Sequence, residues 1–173
     1  MTGSNYEREL RDILRGEHEE HTKSLTVEKK RIYDILKDKP FLIVRGAGSL
    51  GYDLIAMRGN VYLPIEVKTS KAKTIYFSDD ERLTEQIEEY IRLSELCDIP
   101  SVYARRMNGI RGERWELFRI NSETANNLLW LIPPIPTTAK GSRKLPWGSG
   151  LPLSEFIEIW DNHSHIQFTT EVE

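Results

Sequence analysis

The sequence predicts a single α/β domain in which helices flank a mixed β-sheet. Segments with helical and with extended patterns alternate along the 173 residues, and two of the extended segments, residues 52–57 and 61–68, have the pattern of a β-hairpin. The composition, with 39% hydrophobic and 29% charged residues, is that of a globular protein rather than a disordered one. A chain of this length can bury one sizeable core but is too short for two ordinary domains, so residues 1–173 are treated as one domain.

Apolar residues at helical spacing predict four helices. In the first, residues 6–15, the buried stripe consists of Tyr6, Leu10, Ile13 and Leu14. The other three predicted helices are residues 27–37, 81–96 and 153–160. The apolar stripe of the last helix is expected to pack on the core, and a contact with a second subunit is the alternative.

Short segments rich in aliphatic, β-branched and aromatic residues predict the strands. They are residues 41–44, 52–57, 61–68, 99–104 and 115–120. The last two strands are expected to be joined by a loop, residues 105–114. From residue 132 to 152 proline, glycine and polar residues dominate, which predicts a loop or an arm rather than a domain boundary.

The predicted hairpin brings charged residues together. If Gly59 and Asn60 are the central residues of a tight turn, Asp53 lies directly opposite Glu66. Like charges at such positions, about 5 Å apart, destabilise a sheet, and a divalent cation bound between them would offset the repulsion. Hard oxygen ligands suit Mg²⁺ or Mn²⁺ better than zinc. Lys68 shares the face of Glu66 because it is two residues along the same strand. The alternative is an edge hairpin whose charges merely face water.

Two neighbouring segments could add to this acid pair. Glu7 could be aimed at it from the first helix, although an acid in a first turn is also favoured simply by the helix dipole. Residues 47–51 form a small, glycine-rich loop just before Asp53. Such a loop would let a DNA backbone approach closely, and Ser49 could bond a phosphate oxygen, but glycine loops are also common as simple turns.

The net charge of −3 counts against a simple nucleic-acid-binding protein, which usually carries a basic domain. Phosphate binding needs only a local basic surface, however, and three candidate patches are present. They are Lys68 with Lys71 and Lys73, Arg105 and Arg106 with Arg111 and Arg114, and Lys140 with Arg143 and Lys144. By contrast, His18 and His21 lie among acidic residues, which predicts a solvated, charged surface more than a metal site.

Cysteine content and hydropathy indicate the compartment. The single cysteine, Cys97, cannot form an intrachain disulfide, so a reducing compartment is expected. The first residues are too polar for a signal peptide, and no apolar run approaches the roughly 20 residues that span a bilayer. We expect a cytoplasmic protein without a membrane partner.

Four motifs together carry a resemblance to a known family. They are Tyr6 to Leu10, Arg45 to Ser49, Asp53 to Ala56, and Ile65 to Lys68. In this order they resemble the archaeal Holliday junction resolvases, which belong to the PD-(D/E)xK nuclease superfamily. The resemblance runs from Glu7 to about Arg106 and implies a restriction-endonuclease-like fold, in which residues 16–38 would be a helical insertion.

The resemblance also implies roles for individual residues. The implied catalytic residues are Glu7, Ser49, Asp53, Glu66 and Lys68. The implied metal ligands are Asp53, Glu66, the carbonyl group of Val67 and, in support, Glu7. Arg8, Arg45 and Ser49 fall on positions associated with DNA contact, and the basic patches add Lys71, Lys73, Arg105 and Arg106 to the candidate DNA contacts. A weaker similarity links Gln86 and Tyr90, one helical turn apart, to the exonuclease branch of the superfamily, although such a pair more often serves packing and solvent contact.

The hypothesis that follows is a structure-specific DNA endonuclease. Two subunits of a homodimer would each cut one strand of a four-way junction by Mg²⁺-dependent phosphodiester hydrolysis, with Mn²⁺ able to substitute and with no organic cofactor. Lys68 would orient or deprotonate the attacking water, or stabilise the charge that develops on the phosphorus centre. The alternatives are another nuclease of the superfamily, of the restriction or repair type, and a catalytically silent junction-binding protein.

Overall fold

A computed structural model of the chain describes residues 3–46, 51–59, 61–79, 81–120 and 127–164. The strands are β1 (Leu42–Arg45), β2 (Leu54–Arg58), β3 (Val61–Ser70), β4 (Thr74–Tyr76), β5 (Val102–Met107), β6 (Trp115–Arg119), β7 (Lys144–Pro146) and β8 (Leu151–Pro152). The helices are α1 (Gly3–Leu14), α2 (Val27–Asp38), α3 (Glu81–Cys97) and α4 (Leu153–Ser164), with short 3-10 turns at Phe77–Asp79 and Asn127–Leu131. All four predicted helices are therefore present.

The strands form a six-stranded sheet in the order β1-β2-β3-β5-β6-β8 and a separate two-stranded sheet of β4 and β7. In the larger sheet β3 and β5 are parallel, and the other neighbouring pairs are antiparallel. The parallel pair requires a crossover, which α3 provides. The predicted mixed sheet flanked by helices is thus confirmed.

Each face of the larger sheet has its own hydrophobic core. On one face, side chains of α1, α2 and α4 pack against alternate residues of the strands, with Leu10, Leu36, Ile65 and Trp160 among the buried ones. The apolar stripe of α4 is thus used inside the chain, as expected. On the other face, α3 and the two-stranded sheet surround the second core. Its buried members are Phe77, Ile87, Tyr90, Tyr103, Phe118, Ile120, Ile135 and Leu145.

The hairpin of β2 and β3 has the predicted register. Arg58 pairs with Val61 and Leu54 pairs with Ile65, so the position next to Leu54 on this antiparallel ladder sets Asp53 against Glu66. Gly59 has a φ of +58°, a left-handed conformation that glycine adopts without a steric penalty. Asn60, its predicted partner in the turn, lies outside the described residues. The strand β2 begins two residues later than predicted, so Asp53 directly precedes it.

One prediction about the second half of the chain is wrong, and a second lacks two strands. The strand expected at residues 99–104 runs instead from Val102 to Met107, so Arg105 and Arg106 are strand residues and not loop residues. The arm at residues 132–152 is not a simple loop, because it contributes β7 to the two-stranded sheet and β8 to the edge of the larger one. Long-range pairing holds these proline- and glycine-rich residues, and no local pattern encodes it.

The histidine-rich segment after α1 also differs from expectation. His18 is buried, with 1% of its surface exposed, and its Nε2 atom lies 3.2 Å from an Asp34 carboxylate oxygen. Burial lowers the pKa of His18, which favours the neutral ring.

Within the described part of the chain, no helix is both long enough and apolar enough to cross a membrane.

Candidate active site

The backbone on either side of the glycine-rich loop fixes the position of Asp53. The Gly46 N–H group donates to the Asp53 carbonyl oxygen at 2.9 Å, and the Asp53 N–H group donates to the Ile65 carbonyl oxygen at 3.1 Å. A Cβ atom on Gly46 would lie 1.8 Å from the Tyr52 carbonyl oxygen, so only glycine permits this close approach. The Asp53 side chain then turns toward β3, where its Oδ2 atom accepts a 2.8 Å hydrogen bond from the Val67 N–H group.

Glu66 is the best connected of the predicted acids. It is 5% exposed, and its Oε1 atom accepts hydrogen bonds from Lys68 Nζ at 2.8 Å and from Gln86 Nε2 at 3.1 Å. Its Oε2 atom accepts one from the Tyr90 hydroxyl at 2.9 Å. Lys68 Nζ also donates to Gln86 Oε1 at 3.0 Å, so strand β3 and helix α3 together hold the carboxylate and the amine in one arrangement.

Tyr90 is itself held firmly by its surroundings. Its ring stacks on that of Tyr52, with 4.2 Å between centroids, and its hydroxyl also contacts Gln86 Nε2 and the Gly51 carbonyl oxygen. Burial, and next the charge of Glu66, raise the pKa of Tyr90 well above its ordinary value, so its hydroxyl keeps its proton. A neutral tyrosine hydroxyl in this position can donate a hydrogen bond to Glu66.

The acid pair is electrostatically crowded. Burial and the neighbouring charge of Glu66 raise the pKa of Asp53 to about 6, and the charge of Glu7 contributes in the same direction. In a carboxyl group whose pKa is raised in this way, a nearby positive charge stabilises the ionised form. Lys68 supplies one such charge from the side of Glu66, and a divalent cation would supply a larger one.

Glu7 approaches from a different direction. It lies on α1, with 20% of its side chain exposed, and its Oε2 atom accepts a 3.1 Å hydrogen bond from Arg45 Nη2. Its charge contributes to the raised pKa of Asp53. Arg45 is thus paired with an acid, at the end of β1, and keeps 47% of its side chain exposed.

The donor set fits a hard divalent cation. Asp53 and Glu66 offer carboxylate oxygens on neighbouring strands, and Mg²⁺ is commonly held by one or two carboxylates together with water and substrate phosphate. In the described residues no group of three or more His, Cys, Asp or Glu side chains is arranged to hold a metal ion. Two carboxylates suit Mg²⁺, which retains waters, better than zinc, which takes three or four protein ligands.

The predicted DNA contacts divide into two groups. Arg8, Lys71 and Lys73 are exposed. Arg105 and Arg106, in contrast, are 0% and 6% exposed, so they are not free for a phosphate and their assignment to an exposed basic patch is wrong. Ser49 lies outside the described residues.

Internal partners explain the burial of the two arginines. Arg106 donates to both carboxylate oxygens of Glu9, at 3.0 and 3.1 Å, and its guanidinium group lies 4.4 Å from the centroid of the Tyr6 ring. Arg105 donates to the Ala72 carbonyl oxygen at 2.7 Å and lies beneath the ring of Trp147, 5.7 Å from its centroid. Both arginines therefore hold elements together inside the fold.

Gln86 and Tyr90 are the site residues whose importance the sequence understates. Their spacing of four residues is the only local signal, and we expect such a pair to serve packing and solvent contact more often than a site. Only the packing of α3 against β3 shows that both side chains turn toward Glu66.

Comparison with known proteins gives a family match and a structural match. Residues 19–127, more than half of the chain, match the family described as archaeal Holliday junction resolvase (Hjc). The structure is similar to that of Hjc from Archaeoglobus fulgidus, a Holliday junction resolvase from an archaeal hyperthermophile, with a TM-score of 0.46, 19% sequence identity, and coverage of 77% of this chain and 98% of that one. The matched residues include Asp53, Glu66 and Lys68, whereas Glu7 and the arm lie outside them. This chain belongs to the archaeal Holliday junction resolvase family.

Proposed function

We propose that this resolvase cuts four-way DNA junctions by Mg²⁺-dependent hydrolysis at the site formed by Asp53, Glu66 and Lys68, acting as a homodimer. The observation that carries the proposal is the arrangement of these three side chains. Asp53 and Glu66 are close enough for one charge to raise the pKa of the other, and Lys68 is hydrogen-bonded to Glu66 on the same face of the sheet. An acid pair with an amine beside it suits phosphodiester hydrolysis.

Mg²⁺ bound to this pair would polarise a phosphate oxygen and lower the pKa of the attacking water. Asp53 and Glu66 bind the cation, with the Val67 carbonyl group as a further ligand and Glu7 in support. Since the Val67 N–H group donates to Asp53, the carboxylate and the strand that carries this carbonyl are fixed relative to each other. Tyr90 and Gln86 hold Glu66 from the side of α3.

Lys68 has two partners in the absence of substrate, Glu66 and Gln86. Glu66 Oε1, which accepts the hydrogen bond from Lys68, would also be a ligand of a cation bound at the acid pair, and the ammonium group would then be available to the phosphate or the water. There it stabilises the charge that develops on the phosphoryl oxygens, or holds the attacking water by a hydrogen bond. Its position over the Tyr103 ring, 5.8 Å from the centroid, keeps it on this face.

The homodimer follows from the substrate. Two strands must be cut at symmetric positions, which a two-fold pair of active sites achieves. An exposed apolar surface beside the site supports this part of the proposal: Leu42, Val44 and Tyr62 are 66%, 42% and 51% exposed on the first three strands, on the face that carries Asp53 and Glu66. Light scattering should give twice the 20.1 kDa monomer mass, and Leu42→Glu should return the protein to the monomer mass.

A comparison of two DNA substrates tests the function itself. A synthetic four-way junction and a linear duplex of the same sequence are incubated with the protein in Mg²⁺, in Mn²⁺ and in EDTA. We expect paired nicks in the junction with either metal, far slower cutting of the duplex, and no cutting in EDTA. Equal rates on the two DNAs would instead indicate a nuclease of the restriction or repair type, and binding without cutting in either metal would indicate a silent junction-binding protein. A DNA substrate also agrees with the cytoplasmic location expected from the sequence.

A further inference from the structure

Two segments without any acidic residue meet on the surface beside the active site. The chain has 27 Asp and Glu residues, yet none lies in residues 67–78 or in residues 127–154. The segments pair with each other as β4 and β7, which makes one small sheet from two acid-free parts of an acidic protein. Apart from Lys68 of the active site, the cations they carry are Lys71, Lys73, Lys140, Arg143 and Lys144, which we call the arm surface.

In the part of the chain that the structure describes, the cations of the arm surface have no internal counter-ion, unlike surface cations such as Lys23 and Arg92. Within the described ranges, none of the five forms an ion pair with an Asp or Glu side chain. Elsewhere, Lys23 pairs with Glu20 at 2.5 Å and Arg92 pairs with Glu89 at 2.6 Å. Uncompensated cations grouped on one surface produce a local positive potential, even when the net charge of the chain is −3.

The two-stranded sheet is oriented so that cations can face outward. Ile75 and Leu145 are opposite each other in the register and point into the second core, where Leu145 is fully buried. Their neighbours Tyr76 and Lys144 are also opposite each other, and they point to the other side because side chains alternate along a strand. Tyr76 is 44% exposed, so this outer side is not covered by another part of the described chain.

The arm surface is attached directly to the catalytic strand. Lys71 and Lys73 follow Lys68 by three and five residues, so the Cα atom of Lys73 is at most about 17 Å from that of Lys68. DNA advances 3.4 Å per base pair, so this distance corresponds to about five base pairs along a duplex. The backbone N–H group of Trp147 donates to the Lys73 carbonyl oxygen at 2.7 Å, which brings the second acid-free segment to the same place.

Buried charges fix the arm in this position. Arg105 donates to the Ala72 carbonyl oxygen, between Lys71 and Lys73, and lies beneath Trp147. Glu116 Oε1 accepts a 2.8 Å hydrogen bond from the Gly148 N–H group, at the end of β7. The sequence alone assigned Arg105 to DNA contact. In the structure Arg105 instead supports, from inside the fold, the segment that carries the exposed Lys71 and Lys73.

We propose that the arm surface binds the phosphate backbone of the duplex arm that leads away from the cut strand. This inference rests on the proposed function, and it adds a DNA contact that residues beyond the family match provide, since that match ends at residue 127 and the second acid-free segment begins there. The surface recognises backbone phosphates and not base sequence, because four of its five cations are lysines, whose ammonium groups act as point charges toward phosphate.

The test compares the double variant Lys140→Ala/Lys144→Ala with the wild type. Binding of a fluorescent four-way junction is measured by anisotropy in EDTA, where no cutting is expected, between about 50 and 200 mM salt. Loss of two phosphate contacts should lower the slope of log Kd against log salt by about two. Across this salt range the variant should then lose about tenfold less affinity than the wild type does. The matched control is Lys23→Ala/Arg31→Ala, which removes the same charge from α2 and the turn before it and should keep the wild-type slope.

The outcomes separate the inference from the proposed function. A folded double variant with the slope of the control overturns the inference and leaves the proposed function standing. A reduced slope on a linear duplex as well as on the junction, together with equal wild-type affinity for both DNAs, supports the phosphate surface and contradicts the proposed junction specificity. If the wild type binds neither DNA, both are overturned. Should the double variant fail to fold, Lys140→Ala alone, in an exposed turn, should lower the slope by about one.

Discussion

Two charged clusters lie side by side on one face of the sheet, and their surroundings make them different. Lys68 is opposite Arg105 in the register of β3 and β5, and Arg105 is opposite Glu116 in that of β5 and β6. The Lys68 side chain is 18% exposed. Lys68 and its neighbour Glu66 both form hydrogen bonds with Gln86 of α3. Arg105 and Glu116 are 0% and 4% exposed beneath the arm.

The buried cluster is less well satisfied than the active site. Among the described residues, Arg105 Nε and Nη1 and Glu116 Oε2 lack hydrogen-bond partners. Burial lowers the pKa of Arg105 and raises that of Glu116, so both charges are disfavoured where they lie. Burial of the acid does not separate the two clusters, because Glu66 is 5% exposed and Glu116 is 4% exposed. The comparison teaches that what differs is hydrogen bonding: donors from α3 satisfy Glu66, whereas atoms of Arg105 and Glu116 lack partners among the described residues. The following predictions separate the two clusters, from the largest expected effect to the smallest.

Glu66→Gln should have the largest effect. The substitution keeps the shape of the side chain and removes one negative charge from the cation site, so the rate of junction cutting should fall by on the order of a thousandfold. Junction binding in EDTA should stay near the wild-type value. Glu158→Gln, an exposed position on α4, is the matched control and should cut normally. An unchanged nicking rate in Glu66→Gln would mean that the acid pair is not the catalytic site.

Arg105→Met should act on stability and not on chemistry. It leaves Glu116 buried without its nearby cation, which should lower the free energy of unfolding by about 3 kcal/mol in a urea titration. Adding Glu116→Gln should recover most of this loss, because the pair then contains no uncompensated charge. A single variant as stable as the wild type would show that the two charges are independent.

Tyr90→Phe tests whether α3 positions Glu66. Without the hydroxyl donor, the carboxylate is held less firmly, and the Mg²⁺ concentration that gives half-maximal cutting should rise about tenfold. Junction binding in EDTA should not change, which distinguishes a positioning role from a loss of fold. Tyr33→Phe, which removes a hydroxyl bonded to Glu113 away from the site, is the control. Equal Mg²⁺ dependence in the two variants would assign Tyr90 to packing alone.

His18 is a third buried titratable group, and its substitution should have the smallest effect. Because burial lowers its pKa in the folded chain, the unfolded chain binds a proton at higher pH than the folded chain does. Its contribution to stability is therefore fully present above pH 6.5 and declines as the pH falls through 6.5 toward the lowered pKa. The difference in unfolding free energy between wild type and His18→Gln, measured by urea titration at several pH values, should shrink over this window. A difference that is independent of pH would mean that folding does not change the pKa of the ring.

The site was predictable to the extent that local rules generate it. The tight turn at Gly59 sets the register of β2 and β3, and that register alone brings Asp53 and Glu66 together, with Lys68 on the same face. The positions of Gln86 and Tyr90 at the site could not be predicted, because they depend on how α3 packs after a crossover and their spacing along the helix is common to many surfaces.

The sequence by itself determined the helices, the hairpin and the pairing of two acids with an amine, because these depend on spacings of a few residues. Only the tertiary structure decided which charges remain accessible. The sequence predicts both Arg105 and Lys73 as DNA contacts, yet Arg105 is buried beneath Trp147 and Lys73 is exposed beside it. The physical reason is that burial of a side chain is set by residues distant in sequence, here the arm that pairs with β4 some 70 residues later.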